Sequence, residues 1–452
     1  MAKNKKKIVV LGGGFAGVEC ARKLESFFKN NSEVEITMVS EDNFLLFTPM
    51  LPQVASGIIE TRHIVMPIRA ICKKIKFYEG RIKNVDPFGK LVTLWGTGEK
   101  RGISLDYDYL VVALGSETNF FGMADVEKNA YTMKTLNDAV VLRNRVVDML
   151  EQADNETDTI LRDSLLTFVI VGGGFAGIET AGELLDLLLD ARKHYPTIHK
   201  DDIRVIVLEA LPMILPGFNE KLADFSKVKM IERGIDIRLK TAVTSFDGTE
   251  VTVKSLDEMP KDSVDESKIS VIRTKTLIWT AGVTPVNTIK RSMFKTDKGK
   301  IIVNDFLEVP EFPGVFAIGD CALFMDPQTN RPFAPTAQIA EAQAKIAAHN
   351  LNAIIKNSEK KKFVYHSKGQ MAIIGKRTGI ATFLGMNISG FLAWLIWRNV
   401  YLSKIPSPDK KVRIFLDWLI DLFYDRDISR LKLLKRETEK EYKVLDEVDD
   451  VW

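Results

Sequence analysis

The chain has only three cysteines, Cys20, Cys72 and Cys321, and none belongs to a CxxC pair. That leaves no framework of structural disulfides and no paired thiol for disulfide chemistry. Its five histidines (His63, His194, His199, His349 and His366) are scattered without metal-ligand spacing, so no metal centre is expected. An excess of one charge is also missing. The 63 lysines and arginines face 60 acids, a balance of +3 that offers nothing to nucleic acid. Nor is there a clean membrane span. Residues 378–397 carry no charge, but Gly379, Gly385, Asn387, Ser389 and Gly390 interrupt them. GIATFLG reads as a strand, and the remaining GFLAWLIW is short and followed by Arg398. The basic start MAKNKKK leads into a brief apolar stretch that runs into glycines, so no signal peptide and a reducing compartment are expected.

What the sequence does have is one unit written twice. IVVLGGGFAGVECARKLE begins at Ile8 and FVIVGGGFAGIETAGELL at Phe168. Each is a β-branched run, a glycine turn and a helix-period pattern, and each can open its own doubly wound sheet. Gly12, Gly14 and Gly17 make the first GxGxxG, and Gly172, Gly174 and Gly177 the second. The first glycine permits the tight turn and the second lets the backbone approach a pyrophosphate. The third lets helix and strand pack closely, with the helix N-terminus facing the phosphates. A lone GxGxxG is weak, but here the strand–turn–helix context is met twice.

Such a unit ends its second strand with an acid for the ribose hydroxyls. In the second copy this is Glu209, in VIVLEA; in the first, Ser40 stands at that point and Glu41, the candidate, comes next. Further strands are expected at 105–116 and 202–210, strands ending in turns at 276–285 and 314–322, and helices at 134–152 and 336–350. The polar EQADNETDTILRDS reads as a loop and the charged 255–269 as a solvated excursion.

FLLFTPMLPQVASG (44–57), YDYLVVALGSETNFFG (107–122), IWTAGV (278–283), VFAIGDCA (315–322) and PTAQIAEAQA (335–344), with the paired GGGFAG turns, resemble the type II NADH dehydrogenases. These are single-chain NADH:quinone oxidoreductases that do not pump protons and lie on the membrane surface. The resemblance covers nearly the whole chain and implies an α/β fold of two Rossmann-type domains with a C-terminal membrane-associating helical region. It implies non-covalent FAD in a domain made of 1–120 and 286–365, NADH in an inserted domain at 121–285, and membrane or dimer contacts through 366–452. Asp320 would hold the flavin ribitol, Gln338 would lie beside the isoalloxazine near the quinone, Glu179 would face the nicotinamide and Lys376 would lie near the flavin. The family pattern AQxAxQ is not kept. Ala342 stands where the second glutamine is expected, and Gln343, next to it, is the remaining quinone-site candidate.

The C-terminal region carries its own signal. Over 412–425, Val412, Phe415, Leu416, Leu419 and Phe423 share one helix face, while Arg413, Asp417, Asp421 and Asp425 cluster opposite, with Ile414 intruding. Arg426, Arg430, Lys432, Lys435 and Arg436 follow. Trp394, Trp397, Tyr401, Trp418 and Tyr424 suit a headgroup boundary. The expectation is an interfacial anchor at the cytoplasmic face of a cell membrane; packing on the body or on a dimer mate is the alternative. Three rival functions share the fold. A sulfide:quinone oxidoreductase needs cysteines near the flavin and does not use NADH. A soluble reductase of a small redox protein does not need the apolar C-terminus. A flavin-binding relic serving as a redox sensor or scaffold would be excluded by bleaching of its flavin with NADH.

Overall fold

The structure, a computed structural model, describes residues 5–96, 102–257, 269–327, 330–383 and 385–430. Most of the charged 255–269 stretch and Lys432, Lys435 and Arg436 lie outside them.

The β-branched run before the first glycine turn becomes the strand Lys6–Leu11, with Ile8 to Leu11 buried. Ile8 and Val10 pack among helix residues such as Cys20, Leu24 and Ala344, while Val9 and Leu11 pack among strand residues such as Val92, Leu94 and Ile301, so the strand is covered on both faces. It pairs in parallel with Val34–Ser40 on one side and Tyr109–Val112 on the other. Val315–Ala317 adds beyond Tyr109–Val112, and Lys76–Asp86, Leu91–Gly96 and Gly102–Asp106 extend the opposite edge to seven strands. The second run, Thr167–Val171, is the middle strand of a five-stranded parallel sheet with Tyr131–Thr132, Thr276–Trp279, Arg204–Leu208 and Ile235–Arg238. The chain leaves the first sheet, builds the second and returns to supply Val315–Ala317. Where it leaves and returns, Ser116–Thr118 and Val283–Pro285 pair antiparallel.

Two local expectations need correcting. The single strand at 105–116 is broken, because Tyr107 and Asp108 turn the chain between Gly102–Asp106 and Tyr109–Val112. EQADNETDTILRDS is mostly helical. The helix Leu136–Asn155 runs into it, and Thr159–Leu165 forms another helix whose first N–H groups are accepted by Asp158, at 2.9 and 3.3 Å. Asp158, read as part of a loop, is here a helix N-cap.

The helix after the first glycine turn, Phe15–Phe28, packs Ala16, Cys20, Leu24 and Phe28 against an alanine-rich face of Ala337–Ile355. The three cysteines are free and buried, and burial raises each thiol above its ordinary value. The helix after the second turn, Phe175–Ala191, carries a three-stranded antiparallel sheet of Gly369–Gly375, Thr378–Phe383 and Met386–Gly390. A side chain at Gly182 would come within 2.9 Å of the Ile374 carbonyl, so glycine is what lets helix and sheet meet.

Two helices close the fold: Phe391–Lys404 and the outermost, Pro408–Ile420. Among the described residues no helix is long and apolar enough to cross a membrane. The outermost helix is docked by its charged side. Ile414 (0% exposed) and Trp418 (4%) face the body, together with Asp417 and Asp421. Asp417 accepts from the Glu60 N–H at 3.2 Å and lies 2.5 Å from His63 Nδ1, and Trp418 Nε1 donates to Gln53 Oε1 at 2.9 Å. Phe415 (54%) and Phe423 (75%) point outward with Val412, Leu416 and Leu419, and Phe391, Leu392 and Leu395 of the preceding helix are exposed too.

This corrects part of the sequence reading. Trp394, Trp397 and Trp418 are core residues, Tyr401 is half-buried, and only Tyr424 of that aromatic set is exposed. Arg426 is buried and Arg430 pairs with Asp148, so neither is free for headgroups. A two-faced helix announces its two faces but not which one meets the protein.

Candidate functional site

Both glycine turns end at the C-terminal edges of their sheets, where open parallel sheets take ligands. Gly12 and Gly172 have φ of +106° and +108°, a left-handed turn that a side chain resists. A Cβ at Gly12 would strike the Ala113 carbonyl, and one at Gly17 would strike the carbonyl of Gly12 itself. A Cβ at Gly14 or Gly174 would meet nothing within 4 Å. Each turn is therefore closed underneath and open on top. Among the described residues no side chain caps either following helix, whereas Thr135, Asn219 and Thr336 cap three other helices. Open space above uncapped N–H groups at a positive helix end fits a pyrophosphate.

The two strand-end positions differ. Glu209 is buried and accepts from the N–H groups of Gly173, at 2.5 Å, and Leu211, at 2.8 Å. These bonds fix a carboxylate beside the second turn. In the first unit the equivalent place beneath Gly13 is taken by the Ser40 side chain, and Glu41 is exposed one residue further on. That serine-for-acid offset is the one read in the sequence.

The turn Gly319–Cys321 follows the strand Val315–Ala317 and puts Asp320 beside the first glycine turn, where a side chain on Gly319 would approach Ala16. Asp320 Oδ2 accepts from the Ser116 hydroxyl at 2.7 Å. Gln343 is buried, and its Oε1 accepts from the Gly319 N–H at 2.6 Å. The fold thus uses Gln343 to hold the turn that presents Asp320. Gln338, five residues earlier and half-buried, accepts at Oε1 from Tyr365 Oη at 3.3 Å. Asp320, Thr336, Ile339 and Gln343 line one cleft.

Glu179, Glu183, Asp186 and Asp190 form one stripe along Phe175–Ala191. Glu179 Oε1 accepts from the Ile373 N–H at 3.1 Å, with Trp397 alongside. Burial pushes its carboxyl up to about 8, so it carries a proton at neutral pH. Lys376 is exposed and 4.0 Å from Asp190, roughly 16 Å along the helix from Glu179 at 1.5 Å per residue. The structure brings Glu179 close to the second turn and leaves Lys376 at the far end of the stripe.

Sequence reasoning missed the remainder of this stripe. Arg426, with its side chain 3% exposed, lies 3.2 Å from Glu183, 3.6 Å from Asp421, 3.8 Å from Asp190 and 3.9 Å from Asp186. Three acids in the apolar GELLDLLLDA were the available signal.

The comparisons with known proteins agree with this architecture. The pyridine nucleotide-disulphide oxidoreductase profile matches residues 6–344, and the NDH2 C-terminal domain profile matches 367–427. A probable NADH dehydrogenase of Dictyostelium discoideum is 32% identical over 431 residues, 94% of this chain and 91% of that protein. A type II NADH:quinone oxidoreductase of Mycobacterium tuberculosis is 30% identical over 435 residues, 93% of this chain and 89% of that one. The structure of NDH2 from Plasmodium falciparum in complex with NADH matches with a TM-score of 0.85 at 22% identity, over 94% of this chain and 100% of that one. The chain belongs to the pyridine nucleotide-disulphide oxidoreductase family and, within it, to the type II NADH dehydrogenases.

Proposed function

We propose that this chain is an FAD-dependent NADH:quinone oxidoreductase that admits electrons to a respiratory chain without pumping protons. The observation that carries it is the pair of open, uncapped glycine turns on two sheets, one beside Asp320 and one beside the fixed carboxylate of Glu209. FAD held there would supply the redox chemistry that links a hydride donor, NADH, to a two-electron acceptor, a quinone.

The protein's part is placement. The turn at Gly12–Gly17 and Asp320 hold FAD in the domain of 1–120 and 286–365. The turn at Gly172–Gly177 and Glu209 hold NADH in the domain of 121–285. Glu209 accepts from ribose hydroxyls and repels a 2′-phosphate, which selects NADH over NADPH. Gln338 presents its amide to the quinone, and protonated Glu179 stands as a proton source beside the second turn. The outward apolar face of the C-terminal helices lies in the lipid boundary and brings the enzyme to its membrane-dissolved substrate. Burial of the free cysteines is compatible with a reducing compartment and so with the cytoplasmic face.

Turnover tests this reading. The flavin-loaded protein should oxidise NADH only when a quinone is present, and should oxidise NADPH roughly ten- to a thousandfold less efficiently. Equal use of both nucleotides would remove Glu209 from its role. Absence of quinone-dependent NADH oxidation would remove the function.

A further inference from the structure

A lysine that the motifs do not include reaches the Asp320 turn. Lys134 lies between the strand Tyr131–Thr132 of the second sheet and the helix Leu136–Asn155, so it belongs to the inserted unit. Its Nζ donates to Ser116 Oγ at 2.9 Å, and the Ser116 hydroxyl donates onward to Asp320 Oδ2 at 2.7 Å. Nζ is itself 4.0 Å from that oxygen. Ser116 comes from the segment leaving the first sheet, and Asp320 from the turn after its returning strand. Three separate pieces of chain therefore converge on one carboxylate oxygen.

The lysine's backbone is held as firmly as its tip. The N–H groups of Lys134 and Thr135 both donate to Asp138 Oδ2 at 2.8 Å, and Thr135 Oγ1 accepts from the Asp138 N–H at 3.1 Å. This is a capping box with one extra bond, and it fixes where the side chain starts. Burial favours the neutral amine and Asp320 opposes that, so the carboxylate is what keeps the cation in place.

We propose that Lys134 is a positioning residue for the flavin: it is contributed by the nucleotide-binding unit and acts through Ser116 to hold Asp320 in the orientation that takes the flavin's polyol chain. This rests on the reading of Asp320 as the ribityl partner. It makes flavin affinity depend on the register of the two units, because a shift of the inserted unit would pull Nζ off Ser116. A charge-assisted bond to a half-buried carboxylate is worth enough for its loss to be read in binding.

The test is FAD titration of the apoprotein by flavin fluorescence, with melting temperatures of the same apoproteins. K134M and S116A should each raise the Kd for FAD about tenfold or more, with melting unchanged. K134R, which keeps the charge, should restore it to within about threefold. If K134M folds poorly, S116A breaks the same bridge without touching the charge and carries the test alone. Wild-type affinity in K134M and S116A, beside lost affinity in D320N, would overturn the proposal and leave Asp320 in place. Wild-type affinity in D320N would overturn the reading of Asp320 and the proposal with it. A lowered melting temperature in K134M with intact affinity would make Lys134 an interdomain staple and overturn it too.

Discussion

Within each glycine turn, neighbouring residues do different jobs. Gly12 is needed by the fold, since its φ is +106° and a side chain would strike Ala113. Gly14 is not, because a side chain there would enter open space. Gly14→Val should therefore purify without flavin and melt like the flavin-free parent, whereas Gly12→Ala should melt below the flavin-free parent as well. Visible absorbance and a thermal melt separate the two; full flavin in Gly14→Val would contradict the assignment of the first turn. Glu179 gives a pH signature. Its buried carboxyl is protonated below about 8 and charged above it. Since the fold accommodates the neutral form, this group's contribution to stability falls as pH rises from the ordinary carboxylate range to about 8 and then levels off. A proton source is lost over the same rise, so quinone-linked kcat should fall with an apparent ionisation near 8, and Glu179→Gln should flatten that limb of the profile. An unchanged limb in the variant would place the ionisation elsewhere.

What was legible at this scale was local. The glycines and Glu209 are marked by spacing within one strand–turn–helix unit, and the displaced Ser40–Glu41 position could be counted off the same way. Gln343 was marked by sequence position alone, and the structure spends it on the Gly319 backbone. Lys134 and Ser116 meet Asp320 only after the second sheet has been inserted, and no spacing along the chain encodes that meeting.

Elements show where pattern reading stops. The outermost helix ends at Ile420 rather than running to 425, and Arg413 and Asp425 are exposed, but Asp417 and Asp421 of the expected charged face are docked, held by His63 and Arg426 with Trp418 bonded to Gln53 beside them. Solvent alone would favour the reverse, so the inversion points to an apolar surround for Phe415 and Phe423. The clamp beneath it is testable. Arg426 joins the segment after that helix to the acids of Phe175–Ala191. Replacing it with methionine leaves buried carboxylates without their cation, a loss of about 3–5 kcal/mol for a buried pair of this kind. Arg426→Met should melt at a clearly lower temperature and expose its C-terminal helices to protease early in the transition. Wild-type melting with a protected tail would show that the cluster does not hold the helices.

The whole molecule carries two nucleotide-type sheets and, on its C-terminal helices, one exposed apolar face. Each half-exposed apolar chain on that face is worth about 1 kcal/mol when lipid covers it, so the face as a whole is worth on the order of 5–10 kcal/mol. Phe415→Asp with Phe423→Asp removes two of these contributions and puts two charges on the face, so it should leave NADH oxidation by a water-soluble acceptor intact and strongly reduce flotation with liposomes. Flotation of the double variant like wild type would contradict the anchor. A wild-type protein that stays at the bottom of the gradient as a dimer would assign the face to a second copy.

This chain takes electrons from NADH and gives them to a quinone through a bound flavin. Sequential anaerobic mixing tests it most directly. Stoichiometric NADH should bleach the flavin absorbance, and a quinone added in the second mix should restore it with two electrons transferred per flavin. Flavin that NADH does not bleach, or that bleaches and is not restored by any quinone, would contradict the account.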